Sequence, residues 1–194
     1  MFSYIYNTLY DLTSTLIYNP PSVNEIIPGL WLGNFKSAIN ISFLKNNNIH
    51  FILNCTQNTP FFYDVYNKKI TQSLQHIETY RIPVNDNLQE LDFIIMEKYF
   101  KTIIPILIHK YTNEKKNILI HCQAGKQRSA IVVAALLKVL VDNNLITINE
   151  ISKNIPTKIQ FKRIYNYILS KRPQVFTYGL RINFESSFRR FFKF

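Results

Sequence analysis

The sequence predicts an α/β fold, a central and mostly parallel twisted sheet flanked by helices. Three stretches carry this reading. Ile118-Leu119-Ile120 enters a short loop that opens the apolar stretch Ile131–Leu137, which reads as buried strand, tight loop and buried helix. Phe35 to Asn46 reads as a helix and runs into the apolar strand Ile49–Cys55. Thr79–Val84 reads as one more strand, ending in the polar loop Asn85-Asp86-Asn87.

Taken in order, the chain opens with Phe2, Ile5, Leu9, Leu12 and Leu16, spaced by three and four, which is one face of an amphipathic helix over residues 1–21. Pro20-Pro21 stops it. Such a face packs on its own domain, joins a second copy in a homodimer, or meets a membrane; few basic residues flank it, which weakens the membrane case. Pro28-Gly29 marks a turn. A helix from about Gln89 contains Pro105, so a kink or break is expected there. After the loop at 121–130, the next helix ends near Asp142-Asn143-Asn144. Thr147-x-x-Glu150 and Thr157-x-x-Gln160 each read as a capping box and predict two more helices. Phe184, Phe188, Phe191 and Phe192 are spaced for one face of a last helix, with Arg181, Arg189, Arg190 and Lys193 on the other. Aromatic and basic residues interleaved in this way can bind nucleic acid, but the helical spacing favours a packed face with a solvated basic one.

Composition narrows the function classes. With 194 residues and 47% apolar content, the chain reads as one domain with a proper core over 22–194. Two cysteines argue against a disulfide scaffold and for a reducing, cytoplasmic setting. With only four histidines besides, no metal site is expected. No transmembrane segment or secretory signal is read. The net charge of +11 predicts attraction to anions such as phosphoproteins, nucleic acid or acidic membrane surfaces. Abundant Asn, Ile, Lys and Tyr fit an AT-rich genome.

The stretch His121-Cys122-Gln123-Ala124-Gly125-Lys126-Gln127-Arg128-Ser129-Ala130 carries the chemistry. A loop opening a helix gathers backbone N–H groups and favours an anion there. A cysteine among such donors, beside an arginine, ionises readily to the nucleophilic thiolate. The Arg128 fork matches two oxygens of a phosphate. Gly125 suits positive φ or close backbone approach, and Ser129 can donate to the Cys122 sulfur. The bland alternative is a buried cysteine in an ordinary strand–helix turn.

His-Cys-x5-Arg-Ser, as it stands at 121–129, resembles the signature of the cysteine-based phosphatases, and residues 121–130 resemble the dual-specificity branch. Val23–Gly33 resembles the opening of that fold, and Lys171-Arg172-Pro173 with Asn183 resembles its Arg-Pro…Asn segment. Gln127 replaces the usual serine before the arginine, and Lys126 is a less common residue. The resemblance implies the cysteine-phosphatase fold, with Gln123, Ala124, Gly125, Lys126, Gln127 and Arg128 as phosphate-binding loop. It further implies a cysteinyl-phosphate intermediate on Cys122 and no cofactor. Ile82-Pro83-x-x-Asp86 matches the segment bearing the general acid, so Asp86 takes that role; its alternative is a turn-former. Asp92 competes, but falls where the next helix has begun. Asp86 lies 36 positions before Cys122, longer than the family pattern, and the insert Tyr111–Asn117 absorbs the excess. Some relatives shield their nucleophile in a disulfide, so Cys55 reads either as an apolar filler or as such a partner of Cys122. Compact size, composition and family together suggest a large DNA virus as the source.

The implied substrate is a phosphoprotein, on both phosphotyrosine and phosphoserine/threonine, because the chain lacks the Trp-Pro-Asp loop that deepens tyrosine-only pockets. Phosphoinositide is the second class: Lys126 matches a basic loop residue of a lipid phosphatase, whose other loop lysine is Gln123 here. RNA 5′-triphosphate is third, and Gln123-Ala124 departs from its relatives' loop. A non-enzymatic phosphate-binding module is the alternative of a different kind.

Overall fold

The computed structural model describes residues 21–176 and 184–194. The helix expected over 1–21 falls outside them but for Pro21, as do Arg181 and Asn183. The described residues form one five-stranded sheet with helices on both faces. Its strands are β1 (Val23–Ile27), β2 (Leu30–Gly33), β3 (Ile49–Asn54), β4 (Glu78–Arg81) and β5 (Asn117–His121). They lie in the order β1-β2-β5-β3-β4. Only β1 is antiparallel to its neighbour; β2, β5, β3 and β4 run parallel. The mostly parallel α/β sheet expected from the sequence is therefore present. Gly29, at φ +78°, closes the β1–β2 turn in a conformation that costs a residue with a side chain.

Two apolar layers cover the sheet, as the alternation of β5 requires. Ile118 and Ile120 face one core together with Phe51 and Leu53, whereas Leu119 faces the other with Ile49 and Ile52. The larger core receives α5 (Glu90–Ile108), α6 (Arg128–Asp142), α7 (Thr157–Lys171) and α8 (Glu185–Phe192). The smaller receives α1 (Phe35–Ala38), α2 (Ile41–Asn46) and α3 (Phe62–Val65), together with Leu74 and Ile77, which follow the short exposed helix α4 (Lys68–Thr71). Every residue of α6 except Val139 and Asp142 is buried, as expected of a helix apolar on all sides. Phe184 and Phe188 are buried, and Phe191 and Phe192 pack against the same core, so the last helix uses the face read from its spacing. No helix among the described residues is long and apolar enough to cross a membrane.

Four local readings need correction. The single helix expected over Phe35–Asn46 is two, α1 and α2. Asn34 Oδ1 accepts from Ser37 N–H at 3.2 Å and Asn40 Oδ1 from Phe43 N–H at 2.9 Å, so each asparagine starts its own helix. Pro105 does not end α5, which continues to Ile108 and then widens into a π turn over His109–Asn113. The Glu114 N–H reaches back five residues to His109 O there, which accommodates the extra chain. Thr147–Glu150 starts no helix. Ile151 N–H closes onto Ile148 O, Glu150 takes φ +68°, and this turn sinks Ile148 and Ile151 into the core. Helix α7 does begin at Thr157, but no side chain caps it. Gln160 is buried instead between Lys138 Nζ (2.5 Å to Oε1) and Asp142 Oδ1 (2.7 Å from Nε2).

Candidate active site

In a parallel sheet, loops at the carboxyl ends of the strands form the ligand edge. Here that edge gathers three loops, which follow β3, β4 and β5. The loop after β5 begins at Cys122, which is 1% exposed, at the floor of the site. Its Sγ accepts from Gly125 N–H and from Ser129 Oγ, each at 3.2 Å. Gly125 holds φ +66°, and a Cβ there would strike the Gly33 carbonyl at 2.4 Å, so both conformation and space demand glycine. Ser129 reaches the sulfur because α6 starts at Arg128 and presents its first turn to the loop.

Arg128 is 6% exposed and spans from the loop to the segment after β4. Its Nη1 donates to Val84 O at 3.0 Å, and its Nη2 pairs with Asp86 Oδ2 at 2.9 Å. The structure thus brings Cys122, Arg128, Ser129 and Asp86 to one place. Asp86 is 43% exposed on its side chain, open to a substrate from the solvent side. Asp92 is not in the cleft. It is buried, and its Oδ2 accepts from the Asn87 and Gln89 N–H groups, fastening the Asp86 loop to the start of α5.

Of the other loop residues, Gln123 turns outward, where its Oε1 accepts from Thr59 Oγ1 at 3.0 Å. Its carbonyl accepts from Phe35 N–H at 3.2 Å, tying the loop to α1. The Lys126 carbonyl takes the Phe176 N–H at 2.9 Å. Ala124 is half-buried, and Gln127 is buried.

Two arginines matter that sequence reasoning gave no role. Arg172 is 1% exposed; its Nε donates to Gly125 O at 2.9 Å and its Nη1 to Asn24 Oδ1 at 2.7 Å, so it pins the phosphate-loop candidate to β1. The Arg-Pro pair was its one signal. Arg81 clamps the loop after β3 through Thr56 O at 2.9 Å and Thr59 O at 2.8 Å, and its guanidinium lies over the Phe61 ring. Cys55 lies at the foot of that loop, one residue past the Asn54–His121 register pair and so beside Cys122. Burial, with Cys122 adding to it, pushes the Cys55 thiol well above its ordinary range, so it sits there as a neutral apolar side chain.

His121 is fully buried behind the nucleophile. Burial, and then the positive Arg81 and Arg128, lower its pKa from 6.5 to about 4. The unfolded chain therefore takes up a proton near pH 6.5 that the folded chain refuses until about pH 4. Stability is complete above pH 6.5 and drains as pH falls toward 4, by about 3 kcal/mol. Urea unfolding at pH 7 and pH 4.5, for wild type and His121→Gln, measures this. The wild type should lose more stability than the variant between the two pH values; equal losses would take the effect away from His121.

The catalytic-domain model of the dual specificity phosphatases matches residues 30–176. Dual specificity protein phosphatase 22 of Homo sapiens is 28% identical over 120 residues, 62% of this chain and 56% of that protein. MAP kinase phosphatase with leucine-rich repeats protein 2 of Dictyostelium discoideum is 25% identical over 168 residues, 87% of this chain and 19% of that one. The chain thus spans little more than half, or less, of these curated relatives. In fold it is similar to the Yvh1 phosphatase domain from Chaetomium thermophilum, with a TM-score of 0.65 at 19% identity, over 88% of this chain and 95% of the other. With the family model matched across most of its length and the Cys122–Arg128 loop inside the match, the chain belongs to the dual specificity phosphatase family.

Proposed function

We propose that this chain hydrolyses phosphotyrosine and phosphoserine/threonine in proteins through a cysteinyl-phosphate intermediate. The observation that carries the proposal is the convergence on one edge of a sulfur held by two donors, an arginine fork, and a half-exposed carboxylate on that same fork.

In the first step the Cys122 thiolate attacks phosphorus in line, forming the S–P bond as the P–O bond to the leaving oxygen breaks. Arg128 and the loop N–H groups stabilise the equatorial oxygens. Asp86 gives its proton to the leaving oxygen. In the second step Asp86 takes a proton from water, whose oxygen attacks phosphorus and frees phosphate. The Ser129 hydroxyl, already on Sγ, stabilises the departing thiolate. The loop and Arg128 supply the positive potential, so neither step calls on a cofactor. The partner in this reading is a phosphoprotein, which the net charge of +11 favours. The amphipathic stripe at 1–21 supports a homodimer contact, and two thiols kept reduced suit a cytoplasmic setting.

Steady-state hydrolysis in metal chelator tests the proposal, with matched phosphotyrosine and phosphothreonine peptides beside a phosphoinositide and a 5′-triphosphorylated RNA. Turnover of both peptides is expected. Turnover of lipid or RNA alone would keep the mechanism and overturn the substrate class. A folded protein that turns over none of them would be a phosphate-binding module.

A further inference from the structure

The sheet has two edges, β1 and β4, and they are finished differently. A bulge between Glu25 and Ile27 interrupts the register of β1, and Tyr167 Oη donates to Ile26 O at 2.9 Å, so α7 closes that side. Strand β4 has neither device. It pairs only with β3, and none of Glu78, Thr79, Tyr80 and Arg81 is buried.

The ladder fixes where its backbone groups point. Ile82 N–H donates to Asn54 O at 3.0 Å, so Ile82 faces β3. In a parallel pair, alternate residues turn both N–H and C=O to the neighbour. Tyr80 and Glu78 therefore face β3, whereas Thr79 and Arg81 turn these groups outward, where no described residue bonds them. Such a row of outward N–H and C=O groups is a template for one more strand.

The charge around this edge selects the occupant. The acidic side chains here are already engaged: Glu78 pairs with Lys110 at 2.8 Å and with Lys116, and Asp64 Oδ2 accepts from Phe61 N–H. Lys68 and Lys69, on the connection that leads into β4, are exposed and form no ion pair among the described residues. Tyr63 stands beside the strand, 45% exposed, with its hydroxyl 3.2 Å from Thr79 Oγ1. A net charge of +11 repels a second copy and attracts an acidic segment. The edge also leads to the site, since β4 runs parallel to β3 and β5 and passes into the segment bearing Asp86. From β5, which leads into Cys122, to a strand added on β4 is three strand spacings, about 14 Å. An extended chain covers that distance in about five residues.

We infer that the open edge of β4 takes up an extended, acidic segment of the phosphoprotein substrate as a sixth strand, about five residues from the phosphorylated side chain. Thr79 and Arg81 exchange main-chain hydrogen bonds with it, and Lys68, Lys69 and Tyr63 meet its side chains. The inference rests on the proposed protein substrate and adds to it a docking surface outside the phosphate loop.

The probes are a short phosphotyrosine peptide and two longer ones, in which the tail Glu-Val-Glu-Val-Glu-Val precedes or follows the phosphotyrosine by about five residues. Kinetics on these and on an aryl phosphate are compared for wild type, Thr79→Pro and Thr79→Val. Proline at 79 removes one outward N–H and spares every bond to β3, which is where edge strands tolerate it. Valine removes the hydroxyl and leaves the backbone. On wild type, one tailed peptide is expected to show a KM about tenfold below that of the short peptide at equal kcat. Thr79→Pro should lose that advantage, Thr79→Val should keep it, and both should hydrolyse the aryl phosphate as wild type does. Methylating alternate tail nitrogens tests the same bonds on wild type alone: one alternate set should abolish the advantage and the other should leave it. Should Thr79→Pro fail to fold, the methylated tails decide. Equal KM for short and tailed peptides would overturn the inference. So would an equal loss in Thr79→Val, or methylation without effect, since side chains alone would then hold the tail. Hydrolysis of the aryl phosphate but of no phosphopeptide would defeat the protein-substrate reading itself, and the inference with it.

Discussion

Cys122→Ser is expected to abolish turnover, by about 10⁴-fold or more, while phosphate binding persists. A serine hydroxyl stays protonated at neutral pH and lacks the polarisable sulfur lone pairs that attack phosphorus. The donors around it remain, since the Gly125 N–H and Ser129 Oγ belong to the loop and to α6 and do not depend on residue 122 for their place. Arg128 remains too, anchored on Val84 and Asp86. Turnover of an aryl phosphate measured beside calorimetric binding of a phosphopeptide separates the two effects. Residual turnover near the wild-type rate would remove Cys122 from the nucleophile's role, and a parallel loss of binding would mean that the sulfur holds the loop together.

Asp86→Asn is expected to lower kcat by roughly 10²–10⁴-fold on phosphoserine and phosphothreonine peptides, and far less on an activated aryl phosphate. Alkoxide leaving groups need the proton; a nitrophenolate does not. The substitution is well suited to the question, because the asparagine carbonyl can still accept from Arg128 Nη2 as Asp86 Oδ2 does at 2.9 Å. The loop stays in position and the variant reports proton transfer. Equal losses on both kinds of substrate would assign Asp86 to holding Arg128 and leave the acid to be found elsewhere. Asp92 would not serve, since its carboxylate is buried and occupied as the cap of α5.

Local signals gave way wherever a neighbour in space outbid them. Asn40 looked like one polar residue on a helix, yet its side chain caps a second helix and breaks the first. Thr157 and Gln160 have the spacing of a capping box, but Gln160 is drawn into the Lys138–Asp142 pair between helices. Pro105 should disturb α5, and the chain instead yields four residues later, at the π turn. None of these outcomes depends on the residue's own preference alone.

The sequence by itself determined the strand, loop and helix around Cys122, the positive φ of Gly125, and the spacing that sets a sulfur against an arginine. All of these are contiguous, so backbone sterics and helix geometry dictate them within one turn of chain. Only the tertiary structure decided that Asp86 meets Arg128 from 42 positions away, and that Arg172 holds Gly125 from 47. It alone brought Gln123 to Thr59 and left the Gln127 amide buried without a hydrogen-bond partner among the described residues. Those pairings follow from the strand order β2-β5-β3-β4, which sets three loops on one edge. Strand order is fixed by burial of two apolar faces across the whole sheet, a sum over distant residues that no local stretch of chain contains.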